Sequence, residues 1–177
     1  SEKERILERL KELVERSNEK LERILRRSEK LFTDSNKELK DILDRARKLI
    51  EEIDDRIRKV KEKELKDELR KRLEEILKEA RDLSEEDKEK SERVHRESRE
   101  LSERDEEESR KVLEEVRSRD LDKKIRDDAE RLITENKERN ERVNKRDEDL
   151  LRRNRKENEE LNRELERLVK EIREKLK

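Results

Sequence analysis

The chain holds one histidine, His95, and it stands three residues after Glu92. On a helix that spacing places a carboxylate and an imidazole on one face. Di-iron and di-manganese bundles bind metal with such pairs, but they need two of them plus two further glutamates on facing helices. No second histidine exists here, so His95 reads as a member of an interior hydrogen-bond network. Asp87, Asp105 and Asp147 also fall on an inward face. Two carboxylates sharing one site would push their pKa values apart and perform acid–base work. The layer arrangement derived below keeps these three apart, which makes them acceptors for Ser and Asn. Asn136, Asn140, Asn144, Asn154, Asn158 and Asn162 recur along one face of the C-terminal third. A ligand-recognition surface would use such amides, yet polar residues at core positions of helical bundles typically fix register and partner choice. The sequence has no nucleophile with a base beside it, no phosphate-cradling loop and no EF-hand pattern. No catalytic, cofactor-binding or metal-ligating residue is assigned.

The elements that position these groups are read from composition and phase. Among 177 residues there is no Gly, Pro, Cys, Met, Trp or Tyr, 63% are charged and 25% are hydrophobic. Natural domains carry about 45–50% apolar residues. Such low hydrophobicity argues for disorder when net charge is high, but here 55 basic and 56 acidic residues nearly cancel. Stretches such as EELNRELERLVKEIREK set Glu against Lys or Arg at (i, i+4), which supports a helix by about 0.2–0.5 kcal/mol per pair. The chain is expected to be folded and entirely helical.

The same figures bound the partners. A net charge of −1 gives no steering field toward nucleic acid, and Phe32, the one aromatic, makes no platform for stacking bases. No apolar run approaches the roughly 20 residues of a membrane span, and there is no signal-peptide pattern, so a soluble protein of unassigned compartment is expected. The absence of cysteine excludes disulfides and thiolate metal sites.

Apolar and small polar residues form three seams at helical spacing. The first runs from Leu10, Val14 and Ser17 to Ile53, Ile57 and Val60. The second runs from Leu65 through Ser84, Ser91 and Ser98 to Val116, and the third from Leu121 to Leu176. Seam phase jumps by five residues between Val60 and Leu65, and again between Val116 and Leu121. At 100° per residue that step leaves the seam, so the chain turns there. Basic residues before each jump and acidic ones after it complement the helix dipoles. Ser1-x-x-Glu4 caps the start, and Asp120 is read as the N-cap of the third helix. Ser35-x-x-Glu38 resembles a capping box, but phase continues through Thr33-Asp34 and the helix is expected to do so.

The expected fold is all-α, a long, nearly straight, antiparallel up-down-up three-helix bundle or coiled coil. It forms a single domain over 1–177, with helices at about 2–60, 64–117 and 121–177. In this geometry residue x of the first helix lies level with roughly 125 − x on the second and roughly x + 116 on the third. The map sets polar against polar. Ser17 meets Ser109, and Ser28, Ser98 and Asn140 share a layer with His95 and Asn144 one step along. Ser35, Ser91 and Asp147 share another, Ser102 falls beside Asn136, and Ser84 falls beside Asn154. These residues are the expected structural polar network, flanked by apolar layers at both ends.

With its Glu/Lys/Arg-filled surface, its Ser and Asn layers at heptad-like spacing and an opening such as SEKERILERLKELVERS, the chain resembles de novo designed helical bundles with buried hydrogen-bond networks. The resemblance spans the full length and implies a structural scaffold without natural activity, cofactor or natural partner. The alternative is a designed interaction module, possibly a switch, whose polar seam pairs with a second copy or a partner helix. A natural spectrin-like rod is disfavoured by the missing residue types.

Overall fold

The protein is described here by a computed structural model. It covers residues 1–57, 63–119 and 121–177, with only the backbone of Ile57 described. Three α-helices account for nearly all of them, namely α1 (Glu2–Ile57), α2 (Lys63–Ser118) and α3 (Lys123–Lys175). They pack against one another as a three-helix bundle, and no strand occurs among the described residues.

The local chemistry of the helix ends explains their positions. The Glu4 amide donates to Ser1 Oγ at 3.4 Å, and the Arg5 amide donates to the Ser1 carbonyl at 3.2 Å. The N-terminal cap thus forms as expected. Helix α1 passes through Thr33 and Asp34 without interruption, because the inward phase on both sides is the same. Arg58, Lys59, Val60 and Lys61, assigned to the first helix end and the turn after it, lie outside the described residues, as does the expected N-cap Asp120.

Helix α3 begins at Lys123, two residues later than the seam suggested. Leu121, expected as its first seam residue, precedes the helix yet is 7% exposed and packs into the neighbouring core. Asp122 takes the position before the helix. Its carbonyl accepts from the Ile125 and Arg126 amides at 3.1 and 3.2 Å, and its carboxylate pairs with Lys3 Nζ at 3.2 Å.

The chain divides into two compact units, residues 1–29 with 92–151 and residues 30–91 with 152–177. Each draws on all three helices. The first contains an apolar cluster of Ile6, Leu10, Leu13, Val112, Val116, Leu121 and Ala129. The second contains a larger one built on Leu49, Ile53, Leu69, Leu73, Ile172 and Leu176, all at most 1% exposed. Each cluster groups residues that the level map had set together as apolar layers. The face of α1 is wider than one seam, because Leu13, Leu25 and Leu43 are buried while Val14 is half-buried.

Candidate functional site

Each unit carries a buried network of Ser, Asn and Asp side chains. In the first, Ser17 of α1 donates its hydroxyl to Asp105 of α2 and also lies 3.4 Å from Asn140 Oδ1 of α3. The Asn140 amide lies beside the same carboxylate, although its nitrogen closes no hydrogen bond. Asn144 is bonded at both ends, accepting from Ser98 at 2.7 Å and donating to Ser102 at 2.8 Å. In the second unit Asp87 of α2 accepts from Asn154 at 2.9 Å and from Asn158 at 2.6 Å. Asn154 also donates to Ser91 at 3.1 Å, and Asn162 donates to Ser84 at 3.2 Å. Ser35 lies beside Asp87 without closing a bond of good geometry.

A third group belongs to the first unit alone. Asp147 of α3, 2% exposed, accepts from Ser28 of α1 at 2.5 Å and meets His95 Nδ1 of α2 at 2.8 Å. A serine, a histidine and an aspartate thus come together, but in the wrong order for acyl transfer. Hydrolases place the imidazole between nucleophile and carboxylate so that it can take the hydroxyl proton. Here the carboxylate stands in the middle, holds both partners and leaves the serine without a base. Among the described residues no cluster of three or more His, Asp or Glu is arranged to hold a metal, and no helix is long and apolar enough to cross a membrane.

Several expected pairings change partners. Ser17 bonds Asp105 rather than Ser109, whose hydroxyl has no protein partner. The level of Ser17 falls between those two positions, and a carboxylate is the stronger acceptor. Asp147 meets Ser28 and His95 rather than Ser35 and Ser91. Its expected level lay midway between Ser28 and Ser35, and the contact it makes is with Ser28. Ser98 takes Asn144 in place of Asn140. Ser102 bonds Asn144 rather than Asn136, and Ser84 bonds Asn162 rather than Asn154. In the last two pairs α2 and α3 are offset by five residues from the level map. Ser35 lies beside Asp87, and Ser91 takes Asn154.

Electrostatics follow from burial. Asp105 is 7% exposed, and desolvation pushes its pKa up to about 6; Glu108 adds to the rise, while Lys20 and Asn140 oppose it. Burial likewise raises Asp87, against the opposing pull of Asn154, Ser35, Asn158 and Lys90. Buried Asn136 Oδ1, Asn154 Oδ1 and Asn158 Oδ1 have no protein partner. Such atoms carry a desolvation cost that a hydrogen bond would have offset. The networks therefore add less to stability than to the choice of which side chains meet.

Two inward asparagines went unnoticed in the seams, and the Oδ1 of each has no protein partner. Asn36 is 7% exposed and Asn18 half-buried, each directly after a network serine. The signal that reveals them is an eighteen-residue step common to all three helices. Ser17-Asn18 becomes Ser35-Asn36, and Ser84, Asp87 and Ser91 become Ser102, Asp105 and Ser109. Asn136, Asn140 and Asn144 become Asn154, Asn158 and Asn162. Surface pairs obey the same step, for Arg9–Glu115, Arg27–Glu97 and Arg45–Glu79 are successive copies at 2.9, 2.7 and 2.5 Å. Each unit holds one copy of the network.

No protein-family model matches the chain, and no curated protein matches it. Among solved structures it is similar to a "Computationally designed three helix bundle", at 20% identity and a TM-score of 0.66. That similarity covers 99% of this chain and 87% of the other. The chain is a three-helix bundle whose interior carries buried Ser, Asn and Asp.

Proposed function

We propose that the chain is a designed structural scaffold without natural biochemical activity, a monomer whose interior polar layers specify how its helices pair. One observation carries this reading: where the interior hydroxyls, amides, carboxylates and imidazole form side-chain hydrogen bonds, they form them with one another across helices. Asp147 with Ser28 and His95, and Asn144 with Ser98 and Ser102, are the clearest cases. Groups used in this way hold position instead of meeting a substrate. The structural neighbour, described as a computationally designed bundle, supports the same reading. Size-exclusion chromatography with light scattering tests it, with a single species near 22.0 kDa expected. A clean multiple of that mass would instead favour the interaction module that uses the polar seam for self-pairing.

A further inference from the structure

A hydroxyl carries a single hydrogen, yet Ser17 Oγ faces two acceptors. One is the Asp105 carboxyl group, and the other is Asn140 Oδ1 at 3.4 Å. All three side chains are buried, and each comes from a different helix. With Asp105 ionised, Ser17 gives its hydrogen to the carboxylate, the stronger acceptor, and Asn140 Oδ1 is left without a donor. With Asp105 protonated, donors and acceptors match along the chain of contacts. The carboxyl donates to Ser17 Oγ, and Ser17 donates onward to Asn140 Oδ1. The other copy of this group is arranged for the opposite charge state. There Asp87 accepts from the side-chain nitrogens of Asn154 at 2.9 Å and Asn158 at 2.6 Å, and two amide donors favour the carboxylate form. Asn158 is the copy of Asn140, but it turns its nitrogen to Asp87 where Asn140 turns its oxygen to Ser17.

We propose that Asp105 is a proton-binding site: as a carboxylic acid it starts a relay through Ser17 to Asn140 that ties α2, α1 and α3 together, and loss of the proton breaks the tie at Asn140. This goes beyond the scaffold reading, since it gives one interior layer a chemical state that pH changes. The charged groups facing the carboxyl are Lys20 of α1, which favours the ionised form, and Glu108 of α2, which favours the acid. From α3 the facing group is the Asn140 amide, whose nitrogen end acts in the same direction as Lys20. Burial outweighs both and, with Glu108, holds the pKa at about 6. A folded-state pKa raised in this way places the stabilising form on the acid side, so the relay is formed below about pH 6 and interrupted above it.

The test uses the full chain labelled with carbon-13, its side-chain carboxyl and carboxamide carbons followed by NMR from about pH 3 to about pH 9, a span that covers ordinary and raised carboxyl groups. Ser17→Ala distinguishes the two roles of the hydroxyl by the direction of its effect. If Ser17 serves as a donor to a carboxylate, its loss raises the proton affinity of Asp105. A relay that runs on to Asn140 favours the acid, and its loss is expected to lower that affinity about tenfold, one pKa unit. A raised or unchanged Asp105 pKa in Ser17→Ala overturns the proposal. The parent supplies a second reading that requires no variant to fold. Its Asn140 side-chain carbonyl carbon is expected to move downfield as Asp105 takes up its proton, because the oxygen gains a donor. Movement upfield, or none at the Asp105 midpoint, overturns the proposal as well. Both readings concern one carboxyl and one carboxamide, whereas the scaffold reading stands or falls on molecular mass, so the two failures are distinguished.

Discussion

At the residue scale, the interior combines charge with incomplete satisfaction, and both have measurable consequences. The Asp105 pKa is raised from 3.8 to about 6 in the folded chain. The folded state therefore holds this proton more tightly than the unfolded one, so its contribution to stability is present at low pH and lost as pH rises through about 6. A shift of this size corresponds to roughly 3 kcal/mol at most. Asp105→Asn keeps an acceptor for Ser17 and removes the buried charge. The variant is expected to be more stable than the parent at pH 7 by about 1–3 kcal/mol, with the advantage vanishing near pH 4. Urea unfolding at both pH values checks this, and an advantage that does not depend on pH refutes it. Ser98→Ala removes the donor to Asn144 Oδ1. It is expected to cost about 1–3 kcal/mol in the same assay, because that oxygen loses its partner.

At the element scale, apolar layers and surface pairs differ sharply in weight. Ile53 of α1 is 1% exposed within the cluster shared with Leu69, Leu73 and Ile172. Ile53→Asp is expected to destabilise by several kcal/mol, since a carboxylate there has neither water nor partner. Urea titration followed by circular dichroism reads the loss, and an unchanged midpoint would mean the layer is not buried. The repeated Arg–Glu pairs, by contrast, join side chains that are roughly half exposed. Exposed pairs contribute about 0–1 kcal/mol each and are screened by salt. Raising NaCl to about 1 M, where the Debye length is near 3 Å, is accordingly expected to leave the unfolding free energy within about 1 kcal/mol of its low-salt value.

At the scale of the whole molecule, α1, α2 and α3 each contribute residues to both compact units. The chain is therefore expected to unfold in one calorimetric transition, with equal calorimetric and van't Hoff enthalpies; two resolved transitions would make the units separate domains. Much of this was legible in the residues themselves. Charge balance, helix-forming composition and the two phase jumps at 60–65 and 116–121 define three helices and their antiparallel order, because helical phase is a local property of the chain. The polar interior was legible as well, and the eighteen-residue step that exposes Asn18 and Asn36 lies openly in the sequence. The partners did not follow. Whether Ser17 bonds Asp105 or Ser109, and whether Asp147 meets Ser28 or Ser35, turns on axial offsets of a few residues. A seam specifies which side faces inward, whereas the height at which three long helices settle is decided only by packing all three together.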